Sequence, residues 1–99
     1  MRSGYNILWT THAKNELEKT IEYLSENFSE KEIQNLVQKI EYTTKLISQN
    51  PHIFPKSEFN NIHKVVILKF NSLYYQQKND TIEILSFFSN RQSPKKRKL

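Results

Sequence analysis

The C-terminal third of the chain contains three short runs that are rich in β-branched and aromatic residues. They cover residues 62–70, 73–76 and 81–88. Runs of this length, separated by turn-forming pairs, are typical of strands joined by tight connections. Asn71-Ser72 and Asn79-Asp80 are such pairs, so the pattern predicts an antiparallel meander of three strands. The third strand leads directly to Arg91.

A first helix is predicted from apolar residues that recur at steps of three or four. These residues are Ala13, Leu17, Ile21, Leu24 and Phe28. The spacing places them on one face of a helix, with charged residues around the rest. Thr10 or Thr11 can cap its N-terminus, because a threonine hydroxyl accepts a free amide proton of the first turn.

A second helix follows after a short connection. Its apolar positions are Ile33, Leu36, Val37, Ile40, Thr44 and Ile47. Ser29 and Glu32 fit a capping box at its start. Asn50-Pro51 ends it, since the residue before a proline is pushed out of the helical region. A short connection favours an antiparallel helical hairpin.

The remaining segments complete a two-layer architecture. Residues 5–9 are apolar and too short for a helix, which indicates a strand that joins the meander. Residues 51–61 contain two prolines and predict a loop, with Ile53, Phe54 or Phe59 packed beneath it. The predicted fold is therefore α+β, in the order β-α-α-β-β-β. The hairpin packs on a small antiparallel sheet, because each layer has one apolar face that needs cover.

Length and composition predict one domain over residues 1–94, followed by a flexible basic tail over residues 95–99. The net charge is +5, with −1 over residues 1–60 and +6 over residues 61–99, so the whole positive excess lies after residue 60. That asymmetry favours an acidic or polyanionic partner at the C-terminal side, although basicity can also serve solubility alone. No apolar run is long enough to span a bilayer, so no membrane association and a cytoplasmic location are expected.

The composition excludes several kinds of site. The chain has no cysteine, which excludes disulfides and thiolate metal sites, and its single glycine excludes phosphate-binding glycine-rich loops. His12, His52 and His63 lack metal-ligand spacing, so neither a metal nor another cofactor is predicted. His63 could act as a base or contact an anion, but a surface histidine on a strand is favoured. The helix carboxylates are interpreted as solvated charges.

The positive and aromatic residues of the meander are the candidate binding residues. Arg91 stands past the last strand, where a guanidinium suits phosphate or carboxylate recognition and where Lys64 or Lys69 could lie nearby. The alternative is a solvated arginine in a polar loop. Alternation places Tyr75 in the core and Tyr74 outside, and one of Phe87 and Phe88 must also face inward. An exposed aromatic here could stack on bases or dock an apolar helix.

Several features together resemble the RelE/ParE superfamily of toxins from bacterial type II toxin–antitoxin systems. The features are Trp9 closing the first strand, Ala13-x3-Leu17-x3-Ile21, Asn50-Pro51, Leu73-Tyr74-Tyr75, and Ile84-Leu85 leading to Asn90-Arg91-Gln92-x-Pro94. The resemblance covers about residues 5–94. It implies a RelE/ParE-like fold and a growth inhibitor that a cognate antitoxin neutralises. An acidic, amphipathic antitoxin segment would contact Lys69, Tyr74 and Arg91.

The resemblance leaves two targets open. RelE-like members are endoribonucleases that cut mRNA on the ribosome, and Lys64, Lys69 and Arg91 would then be the catalytic candidates. However, the arginine that such members carry before Leu-x-Tyr falls here on Ser72, and their C-terminal tyrosine has no counterpart. ParE-like members bind and poison DNA gyrase without chemistry of their own.

The ParE-like interpretation is the favoured one. It implies target binding through Arg91 and the basic tail residues Lys95, Lys96 and Arg97, and no enzymatic activity. The alternative is a ribosome-dependent mRNA interferase, and a second alternative is an inactive member that only binds.

Overall fold

The predicted order of elements is confirmed by a computed structural model of the protein, which describes residues 4–59 and 61–89. The elements are β1 (Asn6–Trp9), α1 (Thr11–Asn27), α2 (Glu30–Gln49), β2 (His63–Ile67), β3 (Asn71–Lys78) and β4 (Thr81–Ser89). The two helices pack on one face of the four-stranded sheet and leave the other face open. The α+β prediction with a helical hairpin on a small sheet is therefore confirmed.

The strands lie in the order β1-β4-β3-β2, and the sheet is mixed instead of purely antiparallel. β2, β3 and β4 form the predicted antiparallel meander. β1 joins the same sheet, as predicted, but it runs parallel to β4, with Trp9 opposite Ile84. Tight turns force neighbouring strands to be antiparallel, whereas a long helical connection permits either direction.

The helix ends follow the predicted boundaries, but only one of the two predicted caps forms. The Thr10 hydroxyl accepts the amide proton of Ala13 at 3.2 Å and donates to the Ile84 carbonyl at 2.9 Å. One side chain therefore caps α1 and ties it to β4. Ser29 occupies the cap position of α2, but its side chain makes no capping hydrogen bond. The Glu32 amide instead bonds to the Ser29 carbonyl at 3.0 Å, so the backbone replaces the predicted capping box.

The turn between β2 and β3 lies earlier than predicted. It is made by residues 68–70, and Asn71 is the first residue of β3. Leu68 and Lys69 both have positive φ, at 52° and 72°. Asn71 is buried, and its side-chain amide donates to the Ile67 carbonyl across the end of the strand pair at 3.0 Å. The predicted turn at Asn79-Asp80 is confirmed, with φ 57° at Asn79.

The core lies between the helical hairpin and the inner face of the sheet. Its buried apolar residues are Ala13, Leu24, Leu36, Ile40, Ile47, Ile67, Leu73, Tyr75, Ile82, Ile84 and Phe87. The predicted division of the aromatic pairs is confirmed, because Tyr75 and Phe87 are buried while Phe88 is exposed. The prediction that Ile53, Phe54 or Phe59 packs beneath the loop is confirmed by Phe54, while Ile53 and Phe59 are exposed.

The start of the described chain is packed against the end of α2. Gly4 has φ 151°, and a Cβ placed on it would lie 2.6 Å from the Ser48 carbonyl oxygen. The Tyr5 amide donates to that same carbonyl at 2.8 Å. Gly4 is therefore fixed against the end of α2. Within the described ranges no helix is both long and apolar enough to cross a membrane.

Candidate functional site

The open face of the sheet carries a groove of about 520 Å³. It is lined by Phe59, Ile62, Tyr74, Leu85, Ser86 and Phe88, and we call it the open-face groove. A β-bulge shapes it: Tyr74 is paired with Ser86 but Tyr75 is paired with Ile84, so Leu85 is the extra residue of β4. A bulge interrupts the strict alternation of faces. Leu85 and Ser86 consequently both line the groove, between core residues Ile84 and Phe87.

The groove wall is aromatic and its rim carries a cation. The rings of Phe59 and Tyr74 meet edge to face, with centroids 6.2 Å apart and an interplanar angle of 63°. Lys64 Nζ lies 5.8 Å from the centroid of the Tyr74 ring, within the range of a cation–π interaction. Phe88 is 44% exposed on the same face, because its neighbour Phe87 faces the core. The groove thus presents apolar surface with positive charge at its edge.

The structure does not bring the predicted cations together. Lys64 is paired with Tyr74 and lies beside the open-face groove. Lys69 is an exposed residue in the turn beyond the other end of β2. Strand geometry of about 3.3 Å per residue places them more than 10 Å apart along the strand direction. Arg91, Lys95, Lys96 and Arg97, which were predicted to contact a target or antitoxin, lie outside the described residues.

His63 is buried, and the prediction of a surface histidine on a strand is wrong. It is 5% exposed, and its ring stacks on Tyr75 with centroids 4.9 Å apart and an interplanar angle of 12°. Its Nδ1 lies 2.8 Å from the Phe54 carbonyl oxygen, so Nδ1 is the nitrogen that carries a proton. The signal was available, because alternation places His63 on the same face as Val65 and Ile67. His12 and His52 are exposed.

Tyr75 anchors the loop after α2 to the middle of the sheet. Its hydroxyl donates to the Pro51 carbonyl at 2.8 Å, and its ring has no exposed surface. Burial raises the pKa of Tyr75 to about 12, and a backbone hydrogen bond with Phe54 lowers it in part. The phenol is therefore a neutral structural group over the physiological pH range.

Glu16 departs from the expectation that the helix carboxylates are solvated. One carboxylate oxygen, Oε1, accepts hydrogen bonds from the Ser86 hydroxyl at 2.8 Å and from the Phe87 amide at 2.7 Å. The other oxygen lies 3.3 Å from Nε2 of His12. The apolar periodicity of α1 contains no signal for this contact, because it joins residues 70 and 71 positions apart.

The open-face groove itself contains few groups that could transfer protons. Its lining consists of apolar side chains, one serine hydroxyl and the Tyr74 phenol. Over residues 4–59 and 61–89, no three His, Asp or Glu side chains are grouped closely enough to hold a metal ion. The chemistry that the groove supports best is the binding of an apolar segment.

Comparisons with known proteins agree with this architecture. The model of one protein family, described as ParE toxin of type II toxin–antitoxin system, parDE, matches residues 7–94. Among curated proteins no significant match is found. Three solved structures share the fold at low sequence identity.

The first is a chain of the chromosomal ParDE toxin–antitoxin system from P. aeruginosa, with 18% identity, a TM-score of 0.73, and coverage of 89% of this chain and 98% of that one. The YoeB dimer from Staphylococcus aureus has 20% sequence identity and a TM-score of 0.58, and the match covers 83% of this chain and 92% of that one. A conserved hypothetical protein from Helicobacter pylori has 15% sequence identity and a TM-score of 0.56, and the match covers 88% of this chain and 96% of that one.

Proposed function

Since the chain belongs to the family of ParE toxins of type II toxin–antitoxin systems, we propose that it inhibits bacterial growth by binding DNA gyrase and that a cognate antitoxin neutralises it. The toxin class follows from the family. The gyrase target and the contacts with the antitoxin are the proposed part.

The open-face groove is the observation that carries the binding proposal. Its aromatic wall is formed by exposed Phe59 and half-buried Tyr74, on a sheet face that neither α1 nor α2 covers, and Lys64 stands at its rim. Apolar surface of this kind is typical of a docking site for another chain. An acidic, amphipathic antitoxin segment fits it, because apolar side chains would enter the groove and a carboxylate would reach the Lys64 ammonium.

The placement of Lys64 and Lys69, the two candidate cations that the structure describes, favours binding over RNA cleavage. An endoribonuclease must bring cationic groups to one phosphate, where they stabilise the charge that develops in the transition state. Lys64 and Lys69 lie at opposite ends of β2 and cannot do this together. Ser72, which stands where RelE-like enzymes carry an arginine, is buried in β3 between its register partners Val66 and Phe88. Gyrase binding requires no such convergence.

The proposal is tested by pulse-labelling after tightly controlled induction in a bacterial host that lacks the antitoxin. DNA synthesis and protein synthesis are followed in parallel over the first minutes, with Arg91→Ala as a variant. We expect DNA synthesis to fall first and purified protein to inhibit gyrase supercoiling. We expect Arg91→Ala to lose growth inhibition while keeping the wild-type circular dichroism spectrum.

The opposite order of events identifies a different function. An earlier fall in protein synthesis would reject gyrase and identify an mRNA interferase. Growth that continues with both syntheses intact would identify a member that binds without toxicity. Full toxicity of Arg91→Ala would remove that residue from the mechanism.

A further inference from the structure

β4 extends well beyond the strand that covers its outer edge. The register of β1 ends with Trp9 opposite Ile84, and the Thr10 amide closes the ladder by donating to the Ile84 carbonyl at 3.1 Å. The chain then turns away into α1, whereas β4 continues to Ser89. Among the described residues no strand pairs with β4 on that side after Ile84. The backbone donors of this stretch need another partner.

Glu16 supplies that partner from the second turn of α1. Its Oε1 accepts both the Ser86 hydroxyl and the Phe87 amide, at 2.8 and 2.7 Å. Hydrogen bonds to a carboxylate are shorter and stronger than those between neutral groups. The Glu16 side chain is only 26% exposed, so these bonds are partly shielded from water.

The two groups that Glu16 holds belong to different surfaces. Ser86 lines the open-face groove, while Phe87 faces the core, where its ring lies 6.4 Å from that of Trp9. The same short stretch of β4 leads within four residues to Arg91. A change in its direction would therefore move one wall of the groove.

We propose that Glu16 is a positioning residue, whose carboxylate replaces β1 along the outer edge of β4 and sets the direction of the end of that strand, which carries Ser86 and Phe88 of the open-face groove. Its effect on growth inhibition rests on the proposed function, whereas its effect on β4 does not.

The test compares Glu16→Ala and Glu16→Gln with two control variants. Glutamine keeps an oxygen that can accept the Phe87 amide proton, whereas alanine removes it. Glu18→Ala is the charge control, because Glu18 is an exposed carboxylate of the same helix. Ile47→Val is the stability control, since it removes one buried methylene from the core on the other helix. Each variant is characterised by thermal unfolding and growth inhibition.

Two local measurements report on β4 directly. Hydrogen exchange of the Phe87 amide follows its bond to Glu16, and the fluorescence of Trp9, the single tryptophan, follows the packing of Phe87. In Glu16→Ala we expect exchange at Phe87 to become roughly ten- to a hundredfold faster, as loss of a hydrogen bond to a charged group implies. We expect shifted Trp9 emission and growth inhibition weakened about tenfold. Glu16→Gln, which keeps the acceptor oxygen but not the charge, should lie between the wild type and Glu16→Ala in all three.

The controls separate positioning from stability. Ile47→Val should lower the melting temperature without weakening growth inhibition, and Glu18→Ala should change neither. Unchanged exchange at Phe87 in Glu16→Ala would overturn the proposal. So would full growth inhibition by Glu16→Ala in an assay in which Arg91→Ala is inactive. If the wild-type protein does not inhibit growth, the proposed function fails, and exchange at Phe87 alone then decides the role of Glu16.

Discussion

Tyr75 joins three parts of the molecule through a single side chain. It is the largest fully buried side chain among the described residues, it stacks on His63, and its hydroxyl donates to the Pro51 carbonyl. Burial raises its pKa from the ordinary value of 10.0 to about 12. The folded state therefore disfavours the phenolate. The stability that the neutral phenol contributes is complete below pH 10 and is lost as the pH rises toward 12.

Replacing Tyr75 with phenylalanine should separate the contribution of the hydroxyl's hydrogen bond to stability from that of the buried ring. The ring would still stack on His63, but the Pro51 carbonyl would lose its partner, at a cost of about 1–3 kcal/mol at pH 7. The decline in stability between pH 10 and 12 should become shallower. Urea unfolding at pH 7, 10 and 11 measures both effects, with exposed Tyr42 changed to phenylalanine as the control. An alkaline decline equal to that of the wild type would contradict the assignment.

At the scale of elements, the sequence predicts those features that depend on interactions between residues close together in the chain. The order of strands and helices follows from apolar periodicity, and the helix ends follow from Thr10 and from Asn50-Pro51. The turn at Asn71 was misplaced for a physical reason. Its side chain bonds to the Ile67 carbonyl and completes the strand pair, so the positive φ values fall on Leu68 and Lys69. Turn propensity favours asparagine over leucine, but the buried position of Asn71 in β3 places the turn at Leu68 and Lys69 instead.

The contribution of β4 to the open-face groove can be tested by replacing Phe88. Phe88→Ala should remove apolar surface from the open-face groove without affecting the core, because Phe88 is 44% exposed. We expect binding of the cognate antitoxin to weaken at least tenfold, which is typical of an aromatic anchor in an interface. Tyr42→Ala is the matched control, because Tyr42 is a 57% exposed aromatic residue on α2. Calorimetric titration of both variants checks this, and equal affinities would place the antitoxin elsewhere.

At the scale of the whole molecule, the sequence predicts the components of the candidate site better than their arrangement. Tyr74 was assigned to the outer face from alternation alone, and Lys64 lies beside it. Leu85 could not be assigned, because the bulge beside Tyr75 interrupts the alternation of β4. The Glu16 contact joins residues about 70 positions apart, and no periodic pattern records it. Contacts between side chains that are far apart in the chain form only in the assembled fold, so they cannot be predicted from local patterns.

The positive charge that lies after residue 60 is concentrated in residues 91–98. Strands β2 to β4 and their turns carry Lys64, Lys69 and Lys78 against Asp80 and Glu83, so the meander is nearly neutral. Five of the fifteen cationic residues lie within residues 91–98. Long-range attraction to a polyanionic target therefore depends mainly on that segment, while the open-face groove offers apolar contact.

Neutralising part of that segment should weaken target binding in a salt-dependent manner. Lys95→Gln, Lys96→Gln and Arg97→Gln together lower the net charge from +5 to +2, and they change no residue of the core. We expect thermal stability to stay at the wild-type value. The concentration for half-inhibition of gyrase supercoiling should rise about tenfold at low salt, and the difference should narrow as salt screens the charges. Equal inhibition at every salt concentration would instead assign target recognition to Arg91 and the sheet, with no part for the tail.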